Sequence, residues 1–498
     1  MFTKLFQKNP KHPPSPPPSQ PQAESNVSSG NLRPEDINPR VILHYGIPST
    51  ASLLAFDPIQ SLLAIGTLDG RIKVIGGNNI EGLLISPKNL PFKNLEFLQN
   101  QGFLASVSSE NEIQIWDLKR RQIASSLQWE CSVTAFSIIH GSSYMYVGDE
   151  YGMVSVLKYE AEEVKLMQLP YHVPMTTIAE ASVTSLSDHH SVVGALPQPS
   201  SQGNRLLIAF QDGLIILWDV SEDKVILVRG NKDLHLKSGI VADSNEDMGH
   251  DGDGLDDEQV EKEISSLCWA SDNGSVLAVG YVDGDIMLWD LSTSVRGQQD
   301  EKSSNNVVKL QLSSGDKRIP VIVLHWSANR SHDCCGQLFV YGGDTVGSEE
   351  VLTILSLDWS YGLESLKCVG RTDLTLNGSF ADMVLSSRAD ISEPNGAFIL
   401  TSPGQLDFYD DSCLSSLISQ QEIKTSVGSI QYQMVVPTME PVMTVGKFSL
   451  IHKEWKSSGA LSEVLSAFGD NICCKTSNNS CFRMYKMAFD WWHPLPAI

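Results

Sequence analysis

The sequence predicts an all-β chain folded as a WD40-type β-propeller of about seven blades, and three observations predict it. Between Leu62 and Asp411 one pattern recurs seven times: a short apolar strand, a tight polar turn, then a second apolar strand. Three copies are nearly superimposable, reading RLLIAFQDGLIILWDV from Arg205, SVLAVGYVDGDIMLWDL from Ser275 and GFLASVSSENEIQIWDL from Gly102. Each of the three carries the same ending, at Trp116-Asp117, Trp218-Asp219 and Trp289-Asp290. Repetition near forty residues with a Trp-Asp ending is the mark of four-stranded blades arranged in a ring.

Along the chain, residues 1–38 form a leader rich in Pro and Ser. Such a composition buries too little apolar area to offset chain entropy, so disorder is expected there. The propeller is expected over 39–456. Its hairpins centre on Asp69-Gly70, Glu110-Asn111, Tyr151-Gly152, Asp212-Gly213 and Asp283-Gly284, with degenerate copies at 338–357 and 397–409. Asp-Gly and similar pairs supply the positive-φ positions a tight hairpin requires. Strands apolar on both faces imply neighbouring blades on both sides. Each Trp offers a large planar surface for burial between blades, and an indole N–H that needs a partner.

Successive turns are 41, 41, 61 and 71 residues apart, so the later blades carry insertions, which belong in loops on the faces of the ring. One insertion is acidic: residues 242–263 hold ten acids and one lysine, and are expected to be a disordered loop. The stretch 41–45 (VILHY) is expected to supply the outer strand of the last blade. After Trp455 the pattern changes. Leu461, Val464, Leu465 and Phe468 are spaced for a short amphipathic helix, and an irregular aromatic and cysteine-rich ending follows. Residues 457–498 therefore form a helix and irregular tail, read as a variant ending.

The 36 basic and 59 acidic residues give a net charge of −23, which disfavours nucleic-acid and anionic-lipid binding. Nine cysteines in no paired framework fit a reducing compartment. No signal sequence or membrane-spanning run is visible, so the chain reads as cytoplasmic. Catalytic, cofactor and metal sites are not expected. The acidic insertion departs from the calcium-loop pattern at Leu255, Asp256 and Lys262. Cys334-Cys335 and Cys473-Cys474 are adjacent, whereas zinc ligands are usually spaced by two to four residues. His189-His190 looks like part of a surface loop, and the Gly-His turn of well-formed WD repeats is missing. The ring is thus expected to rest on packing and turn chemistry.

The phrases around the repeats are more specific. HYGIPSTASLLAFDPIQSLLAIGTLDGRIKVIG from His44, GNRLLIAFQDGLIILWDV from Gly203 and HKEWKSSGA from His452 resemble the tomosyn and lethal giant larvae family, plant tomosyn-like members above all. The resemblance runs in order from residue 40 to about 460. It implies a syntaxin-binding regulator of exocytosis and polarised secretion, with plasma-membrane SNAREs as partners. It also implies links to myosin II and to small GTPases of exocytosis, and peripheral recruitment to the plasma membrane through such partners. Family members carry two propellers, and tomosyn-type members add a SNARE-like helix. This chain ends where a second propeller would begin, so any SNARE contact is expected from the propeller itself, and no partner-binding residues carry over. The rival reading is a general WD40 adaptor in a ubiquitin-ligase or signalling complex.

Overall fold

A computed structural model describes residues 46–438 except 78–79, 183–189, 231–239, 243–261, 293–305, 316, 330–331, 387–395, 411–413, 415–429 and 432–436. All described residues belong to the unit Leu43–Pro441. The leader, most of the acidic insertion, the stretch 41–45 and the tail after Thr438 lie outside them.

Strands apolar on both faces cannot be satisfied by one hairpin, and the chain solves this by stacking. The unit is a seven-bladed propeller, each blade an antiparallel meander with strands in sequence order. The innermost strands are Ala51–Asp57, Phe92–Leu98, Val133–Ile138, Val192–Pro197, Ile264–Trp269, Val323–Asn329 and Ser379–Ser386. Second strands such as Leu62–Thr67 and Val276–Tyr281 are buried along their whole length, as expected of a strand covered on both faces. Seven apolar clusters result, one for each gap between blades. The gap between blades four and five, for example, brings Leu207, Ala209 and Leu217 against Leu277, Met287 and Trp289.

The turn between second and third strands needs a left-handed residue, and Gly70, Gly152, Gly213 and Gly284 adopt φ values of 77°, 84°, 93° and 83°. Asn111 fills the same position in blade two with φ 64°. At Gly70 space is short as well: a Cβ would lie 2.8 Å from Asn89 Cα and 3.0 Å from Leu90 N. Gly70→Ala is therefore expected to destabilise the chain by about 1–3 kcal/mol in urea unfolding. A change at Gly102, where a Cβ meets nothing within 4 Å, should cost less.

The insertions lie in loops. Between blades three and four the chain forms a helix, Met175–Ser182, which the sequence reading did not anticipate. Between blades four and five, Ile240–Val241 adds a fifth, parallel strand outside Leu310–Gln311.

Ring closure is seen in two places. The outer position of blade seven holds Ile430–Gln431, paired with Phe408 and Asp407, while the stretch 41–45, expected at that edge, lies outside the described residues. The two ends of the unit meet through a parallel pair, Ile47–Pro48 with Pro437–Thr438. Asp382 of blade seven also spans the closure. Its carboxylate accepts from Leu54 N of blade one at 2.7 Å and from Met383 N at 2.8 Å. Burial pushes this carboxyl up to about 6, against those two donors, which pull it down. A raised folded-state value means the contribution to stability is present below 3.8 and is lost as pH rises through about 6. Asp382→Asn removes the titration. Its melting temperature is expected to fall less than that of the parent chain between about pH 4 and about pH 6.5, and equal pH slopes would contradict this assignment.

Candidate interaction face

The meander puts two kinds of loop on each face of the ring. Turns between second and third strands share one face with the connections entering the next blade; this is termed the turn face. Asp69, Gly70, Gly152, Asp212, Gly213, Asp283 and Gly284 all lie there. Turns between third and fourth strands are on the opposite face, and Asp117, Asp219 and Asp290 stand at their start. The residues singled out from sequence thus separate into two sets on opposite faces.

The Trp-Asp endings do local work. Asp219 Oδ1 accepts from Ser221 N at 3.0 Å and Glu222 N at 3.0 Å, and Asp290 Oδ1 accepts from Ser292 N at 2.8 Å. Asp117 Oδ1 accepts from Arg120 N at 2.9 Å. A short carboxylate bonded to backbone two or three residues on fixes the turn. Trp116, Trp218 and Trp289 are buried, each packed on the preceding blade. Trp116 Nε1 donates to Ser106 Oγ at 2.9 Å, and Trp218 Nε1 donates to Tyr171 OH of blade three at 3.0 Å. A fourth copy was missed by sequence. Asp358 Oδ1 accepts from Ser360 N at 2.8 Å, but Leu357 precedes it, so the Trp signal is absent.

On the turn face of blades one to five a recurrent link ties the turn to the residues just before the blade's first strand. The backbone form is Leu68 N to Thr50 O, Ser109 N to Pro91 O, Glu150 N to Ser132 O, Gln211 N to Ser191 O and Val282 N to Glu263 O. Next to these carbonyls a side chain reaches the turn acid, and its type changes from blade to blade. Cys131 Sγ donates to Asp149 Oδ2 at 3.3 Å, and His190 Nε2 stands 3.5 Å from Asp212 Oδ2. Lys262 Nζ donates to Asp283 Oδ2 at 2.5 Å and also to Asp285. His190 is therefore a half-buried partner of a turn acid and no mere surface-loop residue. Polar links thus fasten the connections to the turns, beside the packing and turn chemistry expected of the ring.

The densest link is in blade five. Asp285, 2 % exposed, meets Lys262, Lys309 Nζ at 2.9 Å and Arg318 NH2 at 2.8 Å. Gln311 Nε2 donates to its Oδ1 at 2.9 Å. Burial pushes this carboxyl up, but the hydrogen bonds from Lys262, Lys309 and Gln311 outweigh it and hold the group well below the usual carboxylate range. A lowered value places its stabilisation above pH 3.8, so the knot is fully formed at neutral pH.

No cluster of three or more His, Cys, Asp or Glu able to hold a metal ion is present among the described residues. Cys131, Cys268, Cys334, Cys335 and Cys368 are free thiols. No helix among the described residues is long and apolar enough to cross a membrane.

A family model described as WD domain, G-beta repeat matches residues 258–290, which cover the first three strands of blade five. Human LLGL scribble cell polarity complex component 2 is 25 % identical over 209 residues, 37 % of this chain and 19 % of the relative. Mouse Lethal(2) giant larvae protein homolog 1 is 22 % identical over 277 residues, 50 % of this chain and 23 % of the relative. Lethal(2) giant larvae protein of Drosophila pseudoobscura pseudoobscura is 25 % identical over 200 residues, 37 % of this chain and 17 % of the relative. The matched stretches thus span about a fifth of these relatives. Among solved structures, the β-propeller domain of Myceliophteria thermophila Cps50 (Swd1) is 12 % identical with a TM-score of 0.48, covering 74 % of this chain and 98 % of that one. The curated relatives of this WD-repeat chain are lethal giant larvae proteins, a tomosyn-related family.

Proposed function

From the likeness to lethal giant larvae proteins, we propose that this chain is a non-enzymatic WD-repeat regulator of vesicle exocytosis in polarised secretion. In this reading it binds target-membrane SNAREs of the syntaxin class through the turn face. Residues 39–456 form the binding unit. The protein is cytoplasmic and reaches the plasma membrane peripherally, through its partners, with myosin II and small GTPases of exocytosis among the candidates.

The observation that carries the reading is the likeness to relatives that include a named component of a cell polarity complex, on a chain that folds as a propeller. A rigid ring with paired turns suits partner capture. The choice of the turn face is supported by the insertions after blades three and four, which both connect along it. The test uses the full 498-residue chain, immobilised and incubated with a purified syntaxin-class SNARE, alone or with its target-membrane partner. Retention of either form is expected. If neither is retained, the exocytic reading fails.

A further inference from the structure

We propose that the turn between the third and fourth strands of blade two, Lys119-Arg120-Arg121, docks a short acidic segment of a partner protein. The site is on the face opposite the turn face. The same turn recurs in blades three and four with its last residue left-handed: Arg121 has φ 54°, Val164 52° and Asp223 53°. In register with Lys119-Arg120-Arg121 stand Glu162-Glu163-Val164 and Ser221-Glu222-Asp223. The turn is fixed through backbone, since Asp117 Oδ1 accepts from Arg120 N as Asp219 Oδ1 does from Glu222 N. Any residue supplies that N–H, so the fold does not call for three cations here. On a chain of net charge −23 their side chains are available for another purpose.

Little within the fold neutralises these cations. Lys119 is exposed and makes no hydrogen bond or ion pair among the described residues. Arg120, its side chain 64 % exposed, reaches Asp117 at 3.6 Å. Arg121 NH2 donates at 3.4 Å to Glu81 O of blade one, a neutral carbonyl, while the Glu81 carboxylate is taken by Lys73. Beside it Gly82 offers no side chain, and a Cβ there would meet only Arg121 Nε, at 3.9 Å. Three exposed cations thus share one carboxylate, that of Asp117. The neighbouring blade limits what can use them. Leu166 N of blade three donates to Ser125 Oγ of blade two at 3.0 Å, which sets the Glu162-Glu163 turn next along the rim. A membrane or a nucleic acid would bring its anions onto those carboxylates as well, whereas a short acidic peptide can contact the cations alone.

The experiment uses the full chain and a short Glu/Ser peptide carrying an uncharged fluorophore, with a Gln/Ser peptide of the same pattern as control, read by fluorescence anisotropy. The Glu/Ser peptide is expected to bind and the Gln/Ser peptide to bind at least about tenfold more weakly. Giving blade two the residues of the blade-four turn, Lys119→Ser with Arg120→Glu and Arg121→Asp, is expected to weaken Glu/Ser binding by about tenfold or more. The milder pair Lys119→Gln with Arg120→Gln should weaken it by about threefold or more. Lys224→Gln, which removes a cation of the blade-four turn already paired with Glu222, should leave affinity within about twofold. These side chains are on the surface, so thermal melts of all variants should match that of the parent. Phosphatidylserine vesicles are expected not to retain the chain. The inference is overturned if the Glu/Ser peptide does not bind, if both peptides bind alike, if the blade-two changes leave binding intact, or if the vesicles capture the chain through the same three residues. It does not rest on the exocytic reading: peptide capture without SNARE retention sustains this site and removes that function, and SNARE retention without peptide capture does the reverse.

Discussion

Asp285→Ala is expected to destabilise the protein by about 3–5 kcal/mol, because it leaves Lys262, Lys309 and Arg318 without their buried counter-charge. The three cations converge on one carboxylate under the blade-five turn, and Arg318 NH1 also donates to Gly284 O at 3.3 Å. Losing the carboxylate therefore frees the connection to blade six and the re-entry of the acidic insertion together. Asp285→Asn keeps the size and one acceptor but not the charge, and should recover only part of the loss. Urea unfolding at pH 7 measures both. Changing one cation, as in Lys309→Ala, should cost less, since the others still neutralise the carboxylate. An Asp285→Ala chain as stable as the parent would mean that the knot contributes nothing net.

Trp218→Ala is the second large effect, expected at about 3–5 kcal/mol. The side chain is fully buried between blades three and four, among Tyr146, Val156 and Leu206. Its removal leaves a cavity and breaks a relay across the gap, since Trp218 Nε1 donates to Tyr171 OH and Tyr171 OH donates to Asp223 Oδ1 at 3.0 Å. Trp218→Phe retains much of the apolar contact and loses the donor, so it should cost less than half as much. If the two substitutions proved equally costly, the hydrogen bond and not the burial would dominate, against the packing argument.

The parts of this structure that were legible in the sequence are those with a period. The Asp-Gly turns and the Trp-Asp endings repeat at fixed offsets from apolar runs, so the hairpins, the blade number and the positive-φ residues could be read directly. What was not legible has no fixed offset or residue type. Cys131, His190 and Lys262 serve one position in three blades, and each follows a connection of different length. Asp358 performs the Trp-Asp turn role behind a leucine, which hid it. Ile240–Val241 is a parallel strand of two residues, too short to show any alternation. The closing pair Ile47–Pro48 with Pro437–Thr438 was not read either, since strands of two residues show no alternation. The two faces were likewise invisible, since a linear pattern lists turn acids and Trp-Asp acids together while the meander sends them to opposite sides.

Hydrogen exchange of the full chain with and without a syntaxin-class SNARE tests the central claim most directly, because it reports binding and location together. The predicted result is slowed exchange in the turn-face segments 66–71, 149–153 and 281–285, with little change in the turns after Trp116, Trp218 and Trp289. Protection confined to those Trp-Asp turns, or no protection at saturating SNARE, would contradict a propeller that regulates secretion by gripping SNAREs on its turn face.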